Sequence, residues 1–521
     1  MIKLNESQLE AGLNCARSSN KYDIFILVLL SILQLFLHTN TSAYPILFKQ
    51  PKFLCKERNS SEIFERNCSK KEVCEKNMTK GVDFIVNENS LDSFISELDM
   101  YCYPLQISFL ESAMFVGPSI SILLTPFILN NLGVIKSLKI CGIIYLLFML
   151  MRFQMQSVYI VTFSFYGIFI CTYTMYNCKS LYIVEMCEAR KRSLFYGILN
   201  INSGLAGIFV ILIIDYSNSL RIAFIFNVIA ISTVILIIHF KFVESVRFTF
   251  LTSEAKLVIR DLQQLAFLNG DASKLNEWVK NVEKTATLYT ELAPVDKSIP
   301  YIQMSSQNIN VVRKNSLLKK INFFSILNYP SQINNLVIFT ILVFIFKFSN
   351  VFLLMEVSHT KTLDNIIVFF LVDSISNLLS AIIMELPSIG RKKLLFVVMI
   401  CNFVLFMIGF FWYKYNKFSL LLTILIRIFV TSGMSTCLLF NFESYPTLLR
   451  ATFTSLNKFF AMFFNIFTPY FIMNSRFFLF FLISIFFILG SFLVLRLTET
   501  QGTNLREMPP ELLEEIKTDD N

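Results

Sequence analysis

Long apolar runs separated by short polar segments dominate the 521-residue chain. A helix needs about 20 mostly apolar residues to cross a bilayer, and buried strands are much shorter than that. On this criterion the pattern predicts twelve membrane-spanning helices. They cover residues 23–46, 105–129, 137–155, 158–182, 195–215, 221–242, 332–356, 365–386, 394–413, 418–441, 455–474 and 476–496.

Two long polar segments interrupt this pattern and suggest a repeat. Six spans, a loop and six further spans indicate an internal duplication. The predicted fold class is therefore an all-α polytopic membrane protein of two pseudo-symmetric six-helix halves. Its parts are an N-terminus (1–22), a first half (23–242) with a long outer loop (48–104), a central loop (243–331), a second half (332–496) and a tail (497–521).

The composition agrees with this interpretation. The chain is 55% hydrophobic and only 16% charged, and phenylalanine supplies 56 residues. Soluble domains are about 25% charged. This chain has too few polar residues to form the water-exposed surface of such domains. Disordered, fibrous and secreted disulfide-scaffold proteins are excluded.

The loop over 48–104 is predicted to face an oxidising compartment. It holds four of the 11 cysteines and three N-glycosylation sequons, both of which are typical of extracellular segments. The cysteine spacing leaves three disulfide connectivities open. The disulfide candidates are Cys55, Cys68, Cys74 and Cys102, and the glycosylation candidates are Asn59, Asn67 and Asn77.

The distribution of basic residues predicts the orientation. Basic clusters at 190–192 and 391–393, together with Arg450, lie on the side of both termini, whereas the opposite short loops around 216–220 and 357–364 carry one basic residue, Lys361. Cytoplasmic loops are enriched in Lys and Arg. We therefore expect cytoplasmic termini in a multi-pass protein of the plasma membrane, and the net charge of +9 needs no nucleic-acid partner. Apolar spacing further predicts central-loop helices over 252–269 and 271–291.

An acid–arginine motif recurs at equivalent places in the two halves. Glu185 and Arg192 follow the fourth span, and Glu443 and Arg450 follow the tenth. An arginine can pair with a carboxylate or bind the last carbonyls of a helix. Between two rocking halves, such pairs could hold one state closed and release in the other. Ordinary enrichment of cytoplasmic loops in basic residues is the alternative interpretation.

Several motifs resemble the organic ion transporters (solute carrier family 22) of the major facilitator superfamily. The segment from Glu443 to Arg450, ESYPTLLR, is similar to the family's E-x-x-P-T-x-x-R, and Glu244-Ser-Val-Arg247 is similar to its E-S-P-R. The resemblance implies a twelve-helix alternating-access carrier of organic ions. The motif residues it assigns to a cytoplasmic gate are Glu185, Arg192, Glu443, Arg450, Gly390, Arg391, Glu244 and Arg247.

Two departures from the family pattern bear on function. Of the superfamily motif between spans two and three, only Gly133 remains, whereas Gly390-Arg391-Lys392 preserves the second-half counterpart better. In span eleven the family often has Asp in cation carriers and Arg in anion carriers. The equivalent residue here is Met462, so the resemblance does not reveal the charge of the solute.

Charged residues inside predicted spans give a second indication of the solute. Such a residue costs about 2.5–3.5 kcal/mol at the bilayer centre on insertion scales and usually faces a cavity. Lys347, Asp373 and Arg427 lie in spans seven, eight and ten. One hypothesis is that both cations favour an anionic or zwitterionic solute, with Asp373 pairing one of them. Alternatively, Arg427 and Asp373 form a structural pair while Lys347 reaches the interface. Asn202, Gln34 and Met462 are further cavity candidates.

The sequence favours a carrier of small organic ions, secondary active or facilitative. A carrier of sugars or other neutral solutes and a non-transporting membrane sensor or scaffold are the alternatives. No phosphate-binding loop, nucleophile elbow or HExxH motif occurs, so we expect no enzyme activity, catalytic residue, cofactor or metal. The expected partners are the bilayer and a small organic solute, with a counter-solute or coupled ion left open. No nucleic acid or obligatory protein partner is expected.

Overall fold

The computed structural model of the chain is built from long helices and a small sheet. It describes residues 6–17, 19–42, 53–57, 66–68, 73–74, 82–86, 93–153, 157–188, 191–217, 219–252, 255–292, 330–358, 363–415 and 420–502. The helices of the first half and central loop are α1 (Glu6–Ala16), α2 (Lys21–Ser42), α3 (Phe94–Glu97), α4 (Pro104–Leu132), α5 (Val134–Phe153), α6 (Val158–Met186), α7 (Arg192–Ser217), α8 (Leu220–Lys241), α9 (Val246–Thr252), α10 (Ala255–Asn269) and α11 (Ala272–Leu292). Those of the second half are α12 (Pro330–Ser358), α13 (Leu363–Glu385), α14 (Gly390–Tyr415), α15 (Leu420–Glu443), α16 (Thr447–Asn465) and α17 (Thr468–Leu495).

Eleven of the described helices are long and apolar enough to cross a membrane, and each overlaps a predicted span. The remaining bundle helix, α16, falls below that hydropathy because it carries Arg450, Lys458 and several hydroxyl and amide side chains. The last two spans differ from the prediction. The chain breaks at Ile466 and Phe467 instead of near 475, since Pro469 suits the first turn of a new helix.

The two halves repeat the same helix packing. In the first half α4 packs on α6, α5 on α8 and α2 on α7. In the second half the equivalent pairs are α13 with α15, α14 with α17 and α12 with α16. The halves meet through α7 with α13 and through α4 with α16, which are also equivalent pairs. The predicted duplication is therefore present in three dimensions.

Helices α7 and α13 lie so close together that two glycine positions of α7 have no room for a side chain. A Cβ built on Gly204 would lie 2.4 Å from the Phe370 carbonyl oxygen, and one on Gly197 would lie 2.1 Å from the Ala381 Cβ. The Ser374 hydroxyl donates a hydrogen bond of 3.1 Å to the Ile201 carbonyl across this contact. Small residues commonly allow membrane helices to approach in this way.

One end of the bundle, here named the sheet end, carries strands that the all-α prediction did not include. Strands β1 (Phe53–Glu57), β2 (Arg66–Cys68) and β3 (Val82–Val86) form an antiparallel sheet in the order β2-β1-β3. A disulfide joins Cys74 to Cys102, a pairing that belongs to one of the three connectivities that the sequence left open. Cys55 and Cys68 lie on the neighbouring strands β1 and β2, and their pairing stays a prediction. Asn67 lies in β2, whereas Asn59 and Asn77 fall outside the described residues.

The opposite end, here named the helical end, carries α1, α10 and α11. The structure has both central-loop helices that the spacing predicts, and α1 packs against them. The backbone N–H of Tyr22 donates to the Asn269 side chain at 2.8 Å, and the N–H of Ser19 donates to Asp271 at the same distance. The N-terminal segment is thereby joined to the central loop.

Equivalent glycines and glutamates form the turns before α5 and α14. Gly133 and Gly390 have φ values of 82° and 66°, which other residues rarely adopt. The Glu244 carboxylate accepts the Val134 N–H at 2.8 Å, and the Glu499 carboxylate accepts the Lys392 N–H at 2.9 Å. Each glutamate therefore caps the free N–H groups at a helix start. Burial raises the pKa of Glu244, while these N–H donors oppose the shift.

We predict that Gly133→Ala and Gly390→Ala each destabilise the protein more than Gly270→Ala. All three glycines have positive φ, which costs about 1 kcal/mol for alanine. A Cβ at the first two positions would also meet the capping glutamate, at 2.9 and 2.5 Å, whereas nothing lies within 4 Å at Gly270. Loss of the cap adds about 0.5–2 kcal/mol. Thermal unfolding in detergent measures the difference, and equal losses at all three sites would contradict the capping role.

Candidate functional site

A cavity of about 160 Å³ lies between the two halves. Both halves contribute amide, hydroxyl, aromatic and charged side chains to its wall. The first half supplies Gln34, His38, Thr41, Ser42, Met114, Phe115, Tyr173, Tyr176, Asn200 and Ser203. The second half supplies Lys347, Asn350, Val351, Leu354, Phe370, Asp373, Asn377, Arg427, Thr431, Met434, Ser435, Leu438 and Met462.

The neutral cavity candidates fall into two groups. Gln34 and Met462 line the wall, and neither amide atom of the buried Gln34 side chain has a hydrogen-bond partner in the described part of the chain. Asn202 is a correction, because its amide donates at 3.1 Å to the Ile198 carbonyl of its own helix. The cavity instead receives Asn200 and Ser203. Residues two positions apart on a helix face different directions, so Asn202 cannot share the face of Asn200.

Arg427 and Asp373 form a buried ion pair in the cavity wall. The guanidinium donates through Nε and Nη2 to both carboxylate oxygens, and through Nη1 to the Asn350 Oδ1 at 3.0 Å. It also lies over the Phe369 ring, 4.1 Å from the centroid. A bidentate pair of this kind is a strong, directional contact. The two opposite charges leave this part of the wall without net charge.

Lys347 lines the same cavity and is only half-buried. Its ammonium group makes no ion pair with a described residue, and it lies near enough to Arg427 and His38 to act on both electrostatically. Because Asp373 is committed to Arg427, no wall carboxylate offsets this lysine. The described wall therefore carries a net positive charge.

Sequence reasoning missed two further lysines beside the cavity. The Lys179 Nζ lies 4.3 Å and the Lys458 Nζ lies 5.6 Å from the centroid of the Tyr176 ring. Both residues fall three positions inside the predicted spans 158–182 and 455–474, where a lysine readily reaches the interface. The helices extend to Met186 and back to Thr447, so both lysines lie deeper than predicted. An amphipathic reading of 447–465 could have placed Lys458, one turn before Met462, on the cavity side.

At the helical end, the repeated acid–arginine motifs pair across the halves and not within them. Arg192 of the first half lies 3.3 Å from Glu443 of the second, and Arg450 lies 3.4 Å from Glu185. All four side chains are buried, with exposures of 3% or less. We name these contacts the crossed pairs.

Each arginine also binds the end of the helix that precedes it. The Arg192 Nε donates at 3.1 Å to the Val184 carbonyl, and the Arg450 Nε donates at 2.9 Å to the Phe442 carbonyl. Both expected roles of the arginine, pairing and carbonyl binding, therefore occur in the same side chain. Only the identity of the paired carboxylate differs from the sequence expectation, because Arg192 binds a backbone carbonyl of α6 and pairs with the carboxylate of α15.

Further side chains contact the two carboxylates of the crossed pairs. Glu443 is contacted at 3.2 Å by Arg391 and accepts a 2.7 Å hydrogen bond from the Thr500 hydroxyl. Glu185 accepts the equivalent hydroxyl bond from Ser245, at 2.5 Å. The position equivalent to Arg391 is Val134, so this arginine has no first-half counterpart.

Arg247 adds a contact from the central loop. Its Nε donates at 3.1 Å to the Glu185 backbone carbonyl, and its Nη2 pairs with Glu10 of α1. The motif residues that the sequence assigned to a gate therefore lie together at the helical end. Among the described residues, no group of three or more His, Cys, Asp or Glu side chains is arranged to hold a metal ion.

Comparisons with known proteins agree with this architecture. The family model for sugar (and other) transporters matches residues 24–512. Among curated proteins, no sequence matches the chain significantly.

Solved structures show the same fold at low sequence identity. The proton:xylose symporter XylE bound to 6-bromo-6-deoxy-D-glucose is 14% identical and aligns with a TM-score of 0.64, over 94% of this chain and 98% of its own. The inward-open conformation of the E. coli xylose transporter XylE aligns at 0.56 with 14% identity, over 94% and 99%. The human organic anion transporter MFSD10 aligns at 0.55 with 13% identity, over 90% and 98%. The predicted all-α major-facilitator fold is confirmed, and the chain belongs to the sugar (and other) transporter family.

Proposed function

We propose that this membrane protein carries a small organic anion by alternating access. The observation that carries the proposal is the net positive charge at the cavity, where Lys347 lines the wall and no described carboxylate pairs with it. Burying a charge away from water is costly unless an opposite charge pairs with it. A solute carboxylate or similar group would provide that partner.

The ion pair in the wall supports an organic solute more than a bare inorganic ion. Arg427 and Asp373 neutralise each other, and the amides of Gln34, Asn200, Asn350 and Asn377 surround the cavity together with aromatic rings. Binding sites for small organic molecules combine apolar walls with a few placed polar groups. Lys347 would then fix the charged end of the solute, while the amides contact its neutral polar atoms.

The crossed pairs support a gating role at the helical end, which we place in the cytoplasm. They join α6 and α7 of the first half to α15 and α16 of the second. Separating the halves at this end requires both pairs to open, and removing one member of a buried pair costs about 3–5 kcal/mol. The structure described here would thus be the state closed to the cytoplasm.

A neutral solute such as a sugar is the second candidate, favoured by the unpartnered Gln34 amide and the many hydroxyl groups of the wall. The family model is named for sugar transporters, and the structural relatives include both a xylose carrier and an organic anion carrier. At 13–14% identity these relatives establish the fold and do not decide between the solutes. A non-transporting sensor would show binding without uptake.

Uptake measurements test the anion proposal directly. Proteoliposomes containing the protein should accumulate one or more small organic anions from a panel that also holds cations, zwitterions and sugars. Lys347→Gln should raise the KM for the anion at least tenfold, since it removes the unpaired positive charge. Lys241→Gln, which changes an exposed lysine at the end of α8, is the matched control and should leave KM unchanged.

The same panel contains the outcomes that contradict the proposal. Sugar uptake that is insensitive to Lys347→Gln would establish the neutral carrier instead. Binding of a solute without uptake, by protein that reaches the membrane folded, would support the sensor.

The gating role makes a separate prediction. Replacing both carboxylates of the crossed pairs, in Glu185→Gln/Glu443→Gln, should open the helical end more often. A cysteine placed in the cavity by Leu438→Cys should then react at least tenfold faster with an impermeant thiol reagent applied from that end, a change of about 1.4 kcal/mol.

The control for this experiment is Glu188→Gln, which removes a nearby but exposed carboxylate. Glu188 pairs with Lys191 at 3.5 Å, and both side chains are more than 40% exposed. Exposed pairs contribute about 0–1 kcal/mol, so labelling should stay at the level of the parent protein. Equal labelling in all variants would show that the crossed pairs do not hold the helical end closed.

A further inference from the structure

Two buried lysines from different halves lie between the cavity and the crossed pairs. Lys179 follows the cavity residue Tyr176 by three positions in α6, and Lys458 precedes the cavity residue Met462 by four positions in α16. On each helix the lysine therefore lies nearer to the helical end than the cavity residue does. Lys179 is fully buried and Lys458 is 6% exposed, so neither ammonium group reaches solvent freely.

The two ammonium groups face the same ring. They lie 4.3 and 5.6 Å from the Tyr176 centroid, so their separation cannot exceed the sum of those two distances. The Lys458 Nζ donates to the Asn177 Oδ1 at 2.7 Å, and the Lys179 Nζ has no hydrogen-bond partner among the residues that the structure describes. A ring face attracts a cation, but by only about 0.5–2 kcal/mol.

No carboxylate in the described part of the chain forms an ion pair with either lysine. Lys458 lies near enough to Lys179, and Lys347 near enough to Lys458, for like charges to repel. Asp373 is already ion-paired with Arg427, as Glu185 is with Arg450. A buried cation without an opposite charge is strongly unfavourable.

We propose that Lys179 and Lys458 form a second anion-binding site, distinct from the main cavity and shared between the two halves. Its ligand is one small anionic group, which is either a free inorganic anion such as chloride or a carboxylate. The anion would lie between the two ammonium groups, next to the Tyr176 ring. Because one lysine belongs to α6 and the other to α16, a bound anion would also hold the halves together above the crossed pairs.

Thermal unfolding of the purified protein tests this site without any transport assay. Sodium gluconate is exchanged for sodium chloride or sodium acetate at constant ionic strength, so that only the small anion changes. A ligand that binds the folded state alone raises the unfolding temperature with a saturable concentration dependence. We expect this rise in the parent protein, and an apparent Kd at least tenfold weaker in Lys179→Gln and in Lys458→Gln.

Three variants control the result. Lys458→Arg keeps the charge and should keep the anion response. Lys347→Gln removes the cavity lysine and should also keep it, whereas loss of the response there would place the anion in the main cavity and overturn the proposal. Lys179→Met removes a buried cation and should be at least as stable as the parent protein in gluconate, which separates loss of the site from misfolding.

The two probes distinguish the sources of the anion. A response to chloride assigns the site to an inorganic anion, and a response to acetate alone assigns it to a carboxylate such as that of a transported solute. No response to either anion overturns the site. The result is independent of the proposed function, since a carrier of neutral solutes could bind chloride here and an organic anion carrier could fail to do so.

Discussion

The crossed pairs are the interaction on which the arrangement of the two halves depends. Each couples an arginine at the start of one helix to a carboxylate at the end of a helix in the other half. Since all four side chains are buried, neither charge can exchange its partner for water without a large cost. At this end the two motifs exchange partners, so that two buried ion pairs run between the halves.

A second set of contacts keeps each half rigid while the halves meet. Glu244 and Glu499 cap the starts of α5 and α14 beneath glycines of positive φ, so each half ties its third helix to its sixth. Between the halves, small residues bring α7 and α13 into backbone contact, whereas α4 and α16 meet without an equivalent glycine contact among the described residues. The two halves therefore share the same glutamate caps, whereas the two equivalent helix contacts between the halves differ.

The sequence predicted the membrane helices well because a bilayer demands a long apolar run for each. It also singled out the motif residues that lie at the helical end, and Gln34 and Met462 as cavity candidates, but it left the cysteine pairing open, and the structure joins Cys74 to Cys102. It was wrong about Asn202, since a polar residue in a span can satisfy itself on its own helix. It missed Lys179 and Lys458 because an apolar run shows which part of a helix lies in lipid and does not show where the helix ends. Both helices extend beyond the predicted spans, so the two lysines lie further from the helix ends than the sequence indicated.

By itself, the sequence determined the fold class, the duplication and the residues able to carry charge. These follow from local composition and from spacing along the chain. Only the tertiary structure decided that Arg192 pairs with Glu443, that Asp373 neutralises Arg427, and that Lys179 and Lys458 lie beside the cavity that Lys347 lines. Pairing depends on distances between helices remote in sequence, and two lysines 279 positions apart become neighbours only when the halves assemble.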